Sequence, residues 1–570
     1  MHVEPTPAPA PSPSGQARAP FRWDVPPRFN FGVDVVDRHA RDEAGEALVW
    51  EGPDGRVEAY TYADMARLTA RFGNALRAAG VGRGDRVLVM LPRIPQWPIA
   101  MVGALKVGAV PIPCIEMLTA KDVAYRVIDS GATAIVCRAA EAGKFRGLDS
   151  LRARVAVGEG AGPGWTAWDA AMTAGSDILE PADTAAEDPA VLYYTSGSTG
   201  LPKGVLHAAR ALFAWRTSAE HWLDLHPGDR IWCTADTGWS KAGTSILFGP
   251  WSRGACAFLH DGPFDPGRRL DLLARHRITV YCAPATELAR VAAVQEAEPR
   301  DLSALRRTVS AGEAMNPAVL DRWERTTGLR VAEAYGQTET LMTVLNRPGD
   351  PVKPGSMGTP SPGSDVDVVD ESGRPCPDGI EGDLAVRTPN PQLMLGYWRD
   401  PERTAACYRD GPDSARWFIT GDRGWRDGDG YLWYAGRTDD VIGSAGYRIG
   451  PLEVENALLE HPAVLECAVV GAPDEERGEI VKAFVVLREA WEGTPALIAA
   501  LQAHAKAATA PYKYPRAVEF VDALPRTPTG KLRRRTLKEL ELERAHVWSA
   551  GPAAPAVQQT PVAAVEIGIQ

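Results

Sequence analysis

The chain has 570 residues, of which 45% are hydrophobic and 24% are charged. This length exceeds the roughly 250 to 300 residues of a single core, so we expect two or more folded units, and the composition excludes a fibrous or disordered chain. The net charge of -11 argues against nucleic acid or an anionic membrane as the main partner and favours small-molecule chemistry.

Residues 1–28 and 548–570 are rich in proline and alanine, and we expect a disordered lead and a flexible tail. The lead lacks the basic region and apolar run of a secretory signal. No stretch reaches the roughly 18 uninterrupted apolar residues of a membrane-spanning helix. The eight scattered cysteines have no metal-ligand spacing, and they indicate reduced core thiols in a cytoplasmic protein.

The first half of the chain alternates between predicted helices and strands. Apolar residues three or four apart predict a helix from Thr61 to Gly80, with Gly80 as its stop. The alternation that follows predicts an α/β fold with a largely parallel, buried sheet. Its further elements are strands at 86–91, 109–114, 132–137, 278–284 and 305–312 and a helix at 95–108.

The alternation of predicted helices and strands ends near residue 437. Short aromatic strands, "RWFITGD" and "GYLWYAGR", precede a glycine-rich turn, the helix "PLEVENALLEH" and the strands "AVLECAVVG" and "EIVKAFVVL". A compact α+β unit of about 110 residues has an ordinary domain size. We therefore place the boundary within Gly436–Asp440, which gives an N-terminal domain at 29–437 and a C-terminal domain at 438–547.

The segment "YYTSGSTGLPKGV" is typical of a phosphate site rather than a linker, because glycines free backbone N–H groups while short hydroxyls and a lysine bind the anion. It follows the predicted strand "AVLYY" and leads into "GVLHAARALFAW", which we predict to be a helix. Proline before the lysine and glycine after it exclude a Walker A loop. The residues concerned are Thr195, Ser196, Gly197, Ser198, Thr199, Gly200 and Lys203.

This loop resembles the phosphate-loop signature of the adenylate-forming superfamily, which includes acyl-CoA synthetases, peptide-synthetase adenylation domains and luciferases. The likeness covers nearly the whole chain, from about residue 30 to 545, and is closest to medium-chain acyl-CoA synthetases through "DTGWSKAG", "TAPYKYPR" and "ERGEIVKAFVVL". It implies a large domain of stacked α/β sheets with a β-barrel-like subdomain, and a small mobile α+β domain. Four more motifs follow in the family's order: "EAYGQTET" (333–340), "WFITGDRG" (417–424), "GRTDDVIGSAGYRIGPLEVE" (436–455) and "PRTPTGKLRRR" (525–535).

The resemblance implies a role for each ATP-binding residue. Tyr335 stacks on adenine beside the backbone of Glu333 and Ala334, while Asp422 and Arg437 hold the ribose. The remaining residues of this segment that it assigns to ATP are Gly336, Gln337 and Thr338.

The resemblance also implies three catalytic residues. Thr338 donates towards the α-phosphate, Glu339 ligates Mg²⁺ through hard oxygen, and Lys531 bridges the α-phosphate and the carboxylate of the acid. Each residue alone has a plainer interpretation: Glu339 as an exposed turn residue, Asp422 as a β-turn residue, Lys531 as part of a solvated basic face. Lys203 is expected to serve pyrophosphate handling more than thioester formation.

The glycine-rich segment 443–450 is implied to serve the second half-reaction. The C-terminal domain turns about the hinge Asp439, and Gly446 admits the pantetheine arm. Gly443 stands where many relatives carry lysine or asparagine. A surface ion pair for Arg477 and a rim aromatic for Tyr514 are equally good interpretations. The implied CoA-binding residues are Ser444, Ala445, Gly446, Arg477 and Tyr514.

The acyl pocket is predicted to accept a chain longer than acetate. Acetate-specific relatives carry tryptophan where Gly336 follows Tyr335 here, and the glycine is expected to leave volume. A plain core position is the alternative for Trp239. Arg448, which the resemblance sets facing a phosphate, is also counted with the pocket, whose residues are Trp239, Gly312, Gly336 and Arg448.

The predicted reaction converts a medium-chain or aromatic carboxylic acid, ATP and CoA into acyl-CoA, AMP and pyrophosphate through an acyl-adenylate, with Mg²⁺ as the metal. Two alternatives stay open: an adenylation enzyme that loads a carrier protein, and a nucleotide-binding protein without catalysis. Retention of Lys531, Glu339 and Asp422 speaks against the second. A homo-oligomer is compatible with the sequence.

Overall fold

The structure is a computed structural model that describes residues 21–41, 45–195, 202–312, 315, 317–437, 440–444, 447–474, 477–509, 513–526 and 532–549. The described residues form two compact units. Unit 1 takes its residues from Met1–Gly379, Ala385–Thr420 and Arg426–Trp433, and unit 2 takes its residues from Ile380–Leu384, Gly421–Trp425 and Tyr434–Gln570. The predicted combination of a large α/β part and a small α+β part is confirmed, while the domain limits 29–437 and 438–547 stay predictions.

The strands of the described residues are, in chain order, β1 Glu46–Glu51, β2 Val57–Thr61, β3 Arg86–Met90, β4 Val110–Pro113, β5 Ala134–Arg138, β6 Ala153–Val157, β7 Thr166–Ala167, β8 Pro189–Thr195, β9 Lys203–Ala208, β10 Arg230–Cys233, β11 Cys256–His260, β12 Val280–Cys282, β13 Arg307–Ala311, β14 Val331–Gln337, β15 Leu341–Leu345, β16 Ser356–Pro360, β17 Val366–Val369, β18 Gly382–Arg387, β19 Gly396–Tyr397, β20 Tyr408–Asp410, β21 Arg416–Arg426, β22 Leu432–Arg437, β23 Ile442–Ser444, β24 Tyr447–Ile449, β25 Val464–Asp474, β26 Gly478–Leu487 and β27 Ala517–Phe520.

The α-helices of the same residues are α1 Tyr62–Ala78, α2 Gln96–Lys106, α3 Ala120–Ser130, α4 Trp168–Ala174, α5 Ala209–Ala214, α6 Arg216–His221, α7 Ser240–Ala242, α8 Phe248–Ser252, α9 Pro266–Arg275, α10 Ala285–Ala297, α11 Pro317–Thr327, α12 Pro401–Ala406, α13 Pro451–Leu459, α14 Pro495–Ala508 and α15 Arg534–Ser549. Two short π-helical segments at Gly32–Asp37 and Gly243–Leu247 and two 3₁₀ segments at Ala139–Phe145 and Pro412–Ser414 complete them. No helix in the described ranges is long and apolar enough to cross a membrane.

The helix predicted from Thr61 to Gly80 is confirmed as α1. Thr61 caps it, since its side chain accepts from the Asp64 backbone while the Asp64 carboxylate accepts from the Thr61 backbone. Gly80, just beyond the helix end, has φ +77°, a left-handed conformation that glycine adopts without a Cβ clash. Local capping and apolar spacing therefore define both ends of this helix.

Two sheets of unit 1 confirm the predicted parallel architecture. One has the order β4-β3-β5-β6-β7, and all its neighbours are parallel. The other contains β1, β11, β10, β12, β13 and β14 as successive parallel neighbours. Antiparallel β15 follows β14. Because parallel strands point the same way, the loops after β10, β12 and β13 emerge at one edge, where ligands bind in such sheets.

The segment predicted as a helix, "GVLHAARALFAW", is instead a strand followed by a helix, so that prediction was wrong. Lys203–Ala208 forms β9, which pairs antiparallel with β8 from Thr195↔Lys203 to Pro189↔Ala208, and α5 starts only at Ala209. On its other side β9 pairs with β19. Pairing with two strands overrides the helix preference of the alanine-rich sequence. The phosphate-loop candidate is therefore flanked by two antiparallel strands, β8 and β9.

The core of unit 1 is rich in tryptophan. Trp97, Trp215, Trp222 and Trp251 are fully buried, and Trp215 stacks on Phe248 with ring centroids 4.8 Å apart. None of the eight cysteines forms a disulfide, and all are buried except Cys407, which is partly exposed. This agrees with the core thiols expected from the sequence.

Unit 2 contains a five-stranded sheet with the order β24-β23-β26-β25 and with β27 parallel to β26. The predicted helix and two strands are confirmed as α13, β25 and β26. Buried side chains of these three elements form an apolar core with those of α14, and other side chains of β25 and β26 form a second cluster with Leu537 of α15. This unit therefore has its own hydrophobic core, as a separate domain requires.

Candidate active site

The phosphate-loop hairpin ends at two described residues, Thr195 and Lys203, which are opposite each other in the register of β8 and β9. Ser196, Gly197, Ser198, Thr199 and Gly200 lie outside the described residues. Tyr125 of α3 also contacts this hairpin, because its hydroxyl donates a hydrogen bond to the Pro202 carbonyl at 2.9 Å. The Lys203 side chain therefore leaves the hairpin at a position fixed by strand pairing.

Lys203 and Glu339 form an ion pair, with Nζ and Oε1 2.8 Å apart. Tyr397 joins them, because the ammonium donates to its hydroxyl at 2.8 Å and the hydroxyl donates to Glu339 Oε1 at 2.9 Å. Burial raises the pKa of the Glu339 carboxyl, but the charge and hydrogen bond of Lys203 and the bond from Tyr397 outweigh burial and hold this pKa below its usual range. Glu339 is thus an ionised carboxylate, 7% exposed.

Thr338 is held from two sides. Its carbonyl lies 2.6 Å from His207 Nε2, and its hydroxyl lies 3.2 Å from Ser240 Oγ. Burial lowers the pKa of His207 to about 4, so the imidazole is neutral near pH 7. A neutral ring that faces a carbonyl must donate, which places the proton on Nε2.

Glu333 is a buried carboxyl in β14 at the candidate adenine side. Its Oε1 accepts from the Met315 backbone N–H at 3.2 Å, and burial raises its pKa to about 7. Its carbonyl accepts from the Asn346 side-chain amide at 3.0 Å. Glu333 therefore ties β14 to the segment that follows β13.

Strand β14 also carries three more candidate residues, Ala334, Tyr335 and Gln337. The Gln337 side-chain amide donates to the Thr420 carbonyl at 2.9 Å, and its backbone N–H donates to the Thr340 hydroxyl at 3.1 Å. These two bonds fix the strand where it enters the turn that carries Thr338 and Glu339.

Gly336 does not leave open volume, so this part of the sequence reasoning is corrected. A Cβ at this position would lie 1.8 Å from the Leu341 carbonyl oxygen and 2.9 Å from Met342 Cα, both backbone atoms. Strands β14 and β15 shift register between Tyr335 and Gly336, and Leu341 has φ +59°. The glycine permits a close approach of two strands.

Two other acyl-pocket candidates lie after parallel strands of the same sheet. Trp239 is partly exposed and caps α7, and Gly312 is exposed with φ +99° directly after β13. Lys241 links the two segments, since its ammonium donates to the Ala311 carbonyl at 2.9 Å. The partial exposure of Trp239 favours a wall position over the core alternative.

Unit 2 holds the candidate ribose pair. Asp422 Oδ1 lies 3.4 Å from Arg437 Nε, and the Asp422 side chain is 5% exposed while that of Arg437 is 45% exposed. Asp422 lies in β21, and Arg437 ends β22. The carboxylate is thus buried and aligned by a cation, unlike a solvated turn aspartate.

The described CoA candidates all lie in unit 2. Ser444 is buried in β23, opposite Gly478 of β26, and the Arg477 backbone N–H donates to Asp474 at 2.9 Å. Tyr514 accepts a hydrogen bond from the Arg516 guanidinium at 3.2 Å and packs against the unit 2 core. Asp439, Ala445, Gly446, Lys531 and the Arg448 side chain lie outside the described residues.

Tyr397, His207 and Ser240 were missed by the sequence reasoning. His207 and Ser240 lie inside segments noted for other reasons, "GVLHAARALFAW" and "DTGWSKAG". Tyr397 is nearly 60 residues beyond Glu339 in "LGYWRD", and its place beside Lys203 depends on the pairing of β19 with β9. That pairing, which the predicted helix had hidden, brings it to the site, together with the hydrogen bond from the Met394 N–H to the Glu339 carbonyl at 2.9 Å.

The chain is similar to known proteins over most of its length. Residues 36–398 match the family described as AMP-binding enzyme, and residues 453–531 match its C-terminal domain. Human "Acyl-coenzyme A synthetase ACSM3, mitochondrial" is 40% identical over 539 residues, with 91% of both chains covered. "Uncharacterized acyl--CoA ligase YtcI" of Bacillus subtilis (strain 168) is 40% identical over 519 residues, covering 91% of this chain and 97% of its own. The crystal structure of the anthranilate CoA ligase AuaEII in complex with anthranoyl-AMP has a TM-score of 0.81 and 31% identity, over 92% of this chain and 99% of that one.

Proposed function

Because this chain belongs to the AMP-binding enzyme family, we propose that it is an AMP-forming acyl-CoA synthetase for a medium-chain or aromatic carboxylic acid. In the first half-reaction a carboxylate oxygen attacks the α-phosphorus of ATP and pyrophosphate leaves. In the second, the CoA thiol attacks the acyl carbon and AMP leaves. The observation that carries the proposal is the 40% identity to an acyl-CoA synthetase across 91% of both chains.

The Lys203 and Glu339 pair is the proposed site of the leaving phosphates and of Mg²⁺. No cluster of three or more acidic, histidine or cysteine ligands occurs among the described residues. One buried carboxylate nevertheless fits Mg²⁺, which binds through one or two carboxylates and completes its shell with water and substrate phosphates. The bound ion would supply charge neutralisation of the phosphates, and Lys203 would supply a second cation for pyrophosphate.

The chain's other side chains have proposed roles on the rest of ATP. The Tyr335 ring offers a stacking face to adenine, and the Asp422 carboxylate, aligned by Arg437, accepts from the ribose hydroxyls. The Thr338 hydroxyl donates towards the α-phosphate. Its backbone is held by neutral His207, so the hydroxyl is placed before substrate arrives.

Lys531 is the proposed transfer lysine, and its ammonium would offset the charge of two approaching anions. Replacing it with alanine should abolish adenylate formation, measured as exchange of labelled pyrophosphate into ATP, while ATP-dependent thermal stabilisation largely persists. Lys353→Ala is the control, because this lysine is engaged elsewhere, with Asp427 at 2.6 Å. An unchanged exchange rate in Lys531→Ala would refute the assignment.

The acid and the acceptor are tested together by pyrophosphate release from ATP with aliphatic acids of four to ten carbons and aromatic acids, with and without CoA. We expect AMP and an acyl-CoA from at least one acid only when CoA is present. No AMP with any acid would overturn the proposed function. Adenylation without thioester formation on CoA would instead favour carrier-protein loading.

The cytoplasm is the proposed location, supported by the eight cysteines without a disulfide. The human relative's name places that protein in mitochondria. Fractionation of cells that express this chain distinguishes the two compartments, and recovery with an organelle fraction would contradict the proposal.

A further inference from the structure

Tyr397 is the third member of the Lys203 and Glu339 site, and its position depends on neither charged residue. Its backbone belongs to β19, which pairs with β9 at Tyr397↔Val205. Its N–H donates to the Thr404 hydroxyl at 2.9 Å, which ties it to α12. The phenol is therefore fixed by the fold at the base of the phosphate-loop hairpin.

The three side chains close a ring of hydrogen bonds through the Tyr397 hydroxyl. Its oxygen accepts from Lys203 Nζ at 2.8 Å, and its proton is donated to Glu339 Oε1 at 2.9 Å. The ammonium also lies 4.4 Å from the centroid of the Tyr397 ring, within reach of a cation–π contact. Burial and the neighbouring carboxylate raise the pKa of the phenol, so it stays a neutral donor at all working pH values.

Lys203 and Glu339 neutralise each other here, whereas the proposed function assigns the first to phosphate and the second to Mg²⁺. On nucleotide binding the lysine acquires a new anion and the carboxylate a new cation. Tyr397 is neutral, so neither change alters its own charge, and its bond to Oε1 needs no rearrangement. The hydrogen bond at Oε1 restricts rotation of the Glu339 carboxylate. Less conformational entropy is therefore lost when this carboxylate binds a metal ion.

We propose that Tyr397 is a positioning residue that orients the Glu339 carboxylate towards Mg²⁺ and holds Lys203 beside it until Mg·ATP arrives. The inference rests on the proposed function, because it takes Glu339 as the metal ligand. It adds a residue from a separate strand to the nucleotide site, and it accounts for a partly buried phenol beside the start of β9.

Calorimetry measures the dissociation constant of ATP in saturating Mg²⁺ and again in EDTA. The ratio of the two constants is the gain in affinity due to the metal, called the metal gain below. Tyr397→Phe should reduce this gain about tenfold, the effect of losing one hydrogen bond to a charged group. A reduction below threefold would overturn the inference. Tyr125→Phe is the matched control, since it removes one hydroxyl bond to Pro202 of the same hairpin and should leave the metal gain unchanged. Should Tyr397→Phe not fold, Tyr397→Met removes the same hydroxyl and is read in the same way.

A second readout separates positioning from general structure. If Tyr397 acts through Glu339, Tyr397→Phe in a Glu339→Gln background should change the metal gain by less than threefold. A further reduction of threefold or more would show that the hydroxyl acts elsewhere and would overturn the inference. If the wild-type enzyme shows no metal gain, the Mg²⁺ role of Glu339 is refuted. If the wild-type enzyme forms no acyl-CoA with any acid of the panel, the proposed function is refuted separately.

Discussion

Replacing Lys203 with methionine should destabilise the enzyme in the absence of nucleotide, because it leaves the Glu339 carboxylate buried without its cation. The Lys203 and Glu339 side chains are 23% and 9% exposed, so water compensates little. Removing one partner of a buried ion pair costs about 3 to 5 kcal/mol, and the surviving bond from Tyr397 favours the lower value. For a domain of this size we expect a fall of several degrees in the thermal midpoint.

The pH dependence of this loss has a definite sign. In the wild type the pKa of Glu339 lies below the unfolded value of 4.5, so its ionisation contributes stability above that value, and this contribution is lost as the pH falls through the folded pKa. Without Lys203, burial would raise the pKa above 4.5, and stability would be lost as the pH rises through the new folded value. The difference between the wild type and Lys203→Met should therefore grow from pH 5 to pH 8.

Differential scanning fluorimetry at four pH values measures this difference. Lys353→Met, which removes a lysine from a more exposed ion pair, is the control and should show a small loss without this trend. Lys203→Met combined with Glu339→Gln should recover most of the loss, because a neutral amide needs no cation. A loss that is constant from pH 5 to pH 8, or a double variant as unstable as the single one, would refute the reasoning.

Two further predictions concern β14. Burial raises the pKa of Glu333 from 4.5 to about 7, so its contribution to stability is present below pH 4.5 and is lost as the pH rises through 7. Glu333→Gln should therefore raise the free energy of unfolding, and with it the thermal midpoint, increasingly from pH 5 to pH 8, by about 3 kcal/mol at most, and a pH-independent effect would contradict this. Gly336→Ala should lower the adenylation rate about tenfold and reduce the midpoint, because its Cβ would meet the Leu341 carbonyl at 1.8 Å. If Gly336→Ala adenylates the acids of the panel as fast as the wild type does, this prediction is wrong.

Local signals predicted those parts of the fold that local forces determine. Helix α1 has its capping box and apolar spacing within its own sequence, so Thr61 and Gly80 marked its ends. The residues from 204 to 208 have a helix-compatible sequence, but their structure is decided by β8 and β19, which lie elsewhere in the chain. Pairing of distant segments cannot be read from one segment alone.

The same distinction applies to the site. Lys203 and Glu339 lie in motifs with a chemical pattern, and the structure brings them together at 2.8 Å. Tyr397 carries no such pattern, since an isolated tyrosine is more often a core or rim residue. Gly336 was recognised as important for a reason that the structure does not support, because the occupying atoms come from Leu341. What a glycine makes room for depends on neighbours that the sequence does not specify.

The close contact between Gly336 and Leu341 restricts how this enzyme can evolve or be engineered. The residues between these two positions include Thr338 and Glu339, so any side chain at position 336 that displaces Leu341 also displaces the proposed phosphate and metal groups. A substitution in this short turn that changes which acids are accepted is therefore also expected to lower the rate of adenylation. Libraries directed at new acids should instead vary Trp239 and Gly312, which lie outside the turn between Gly336 and Leu341.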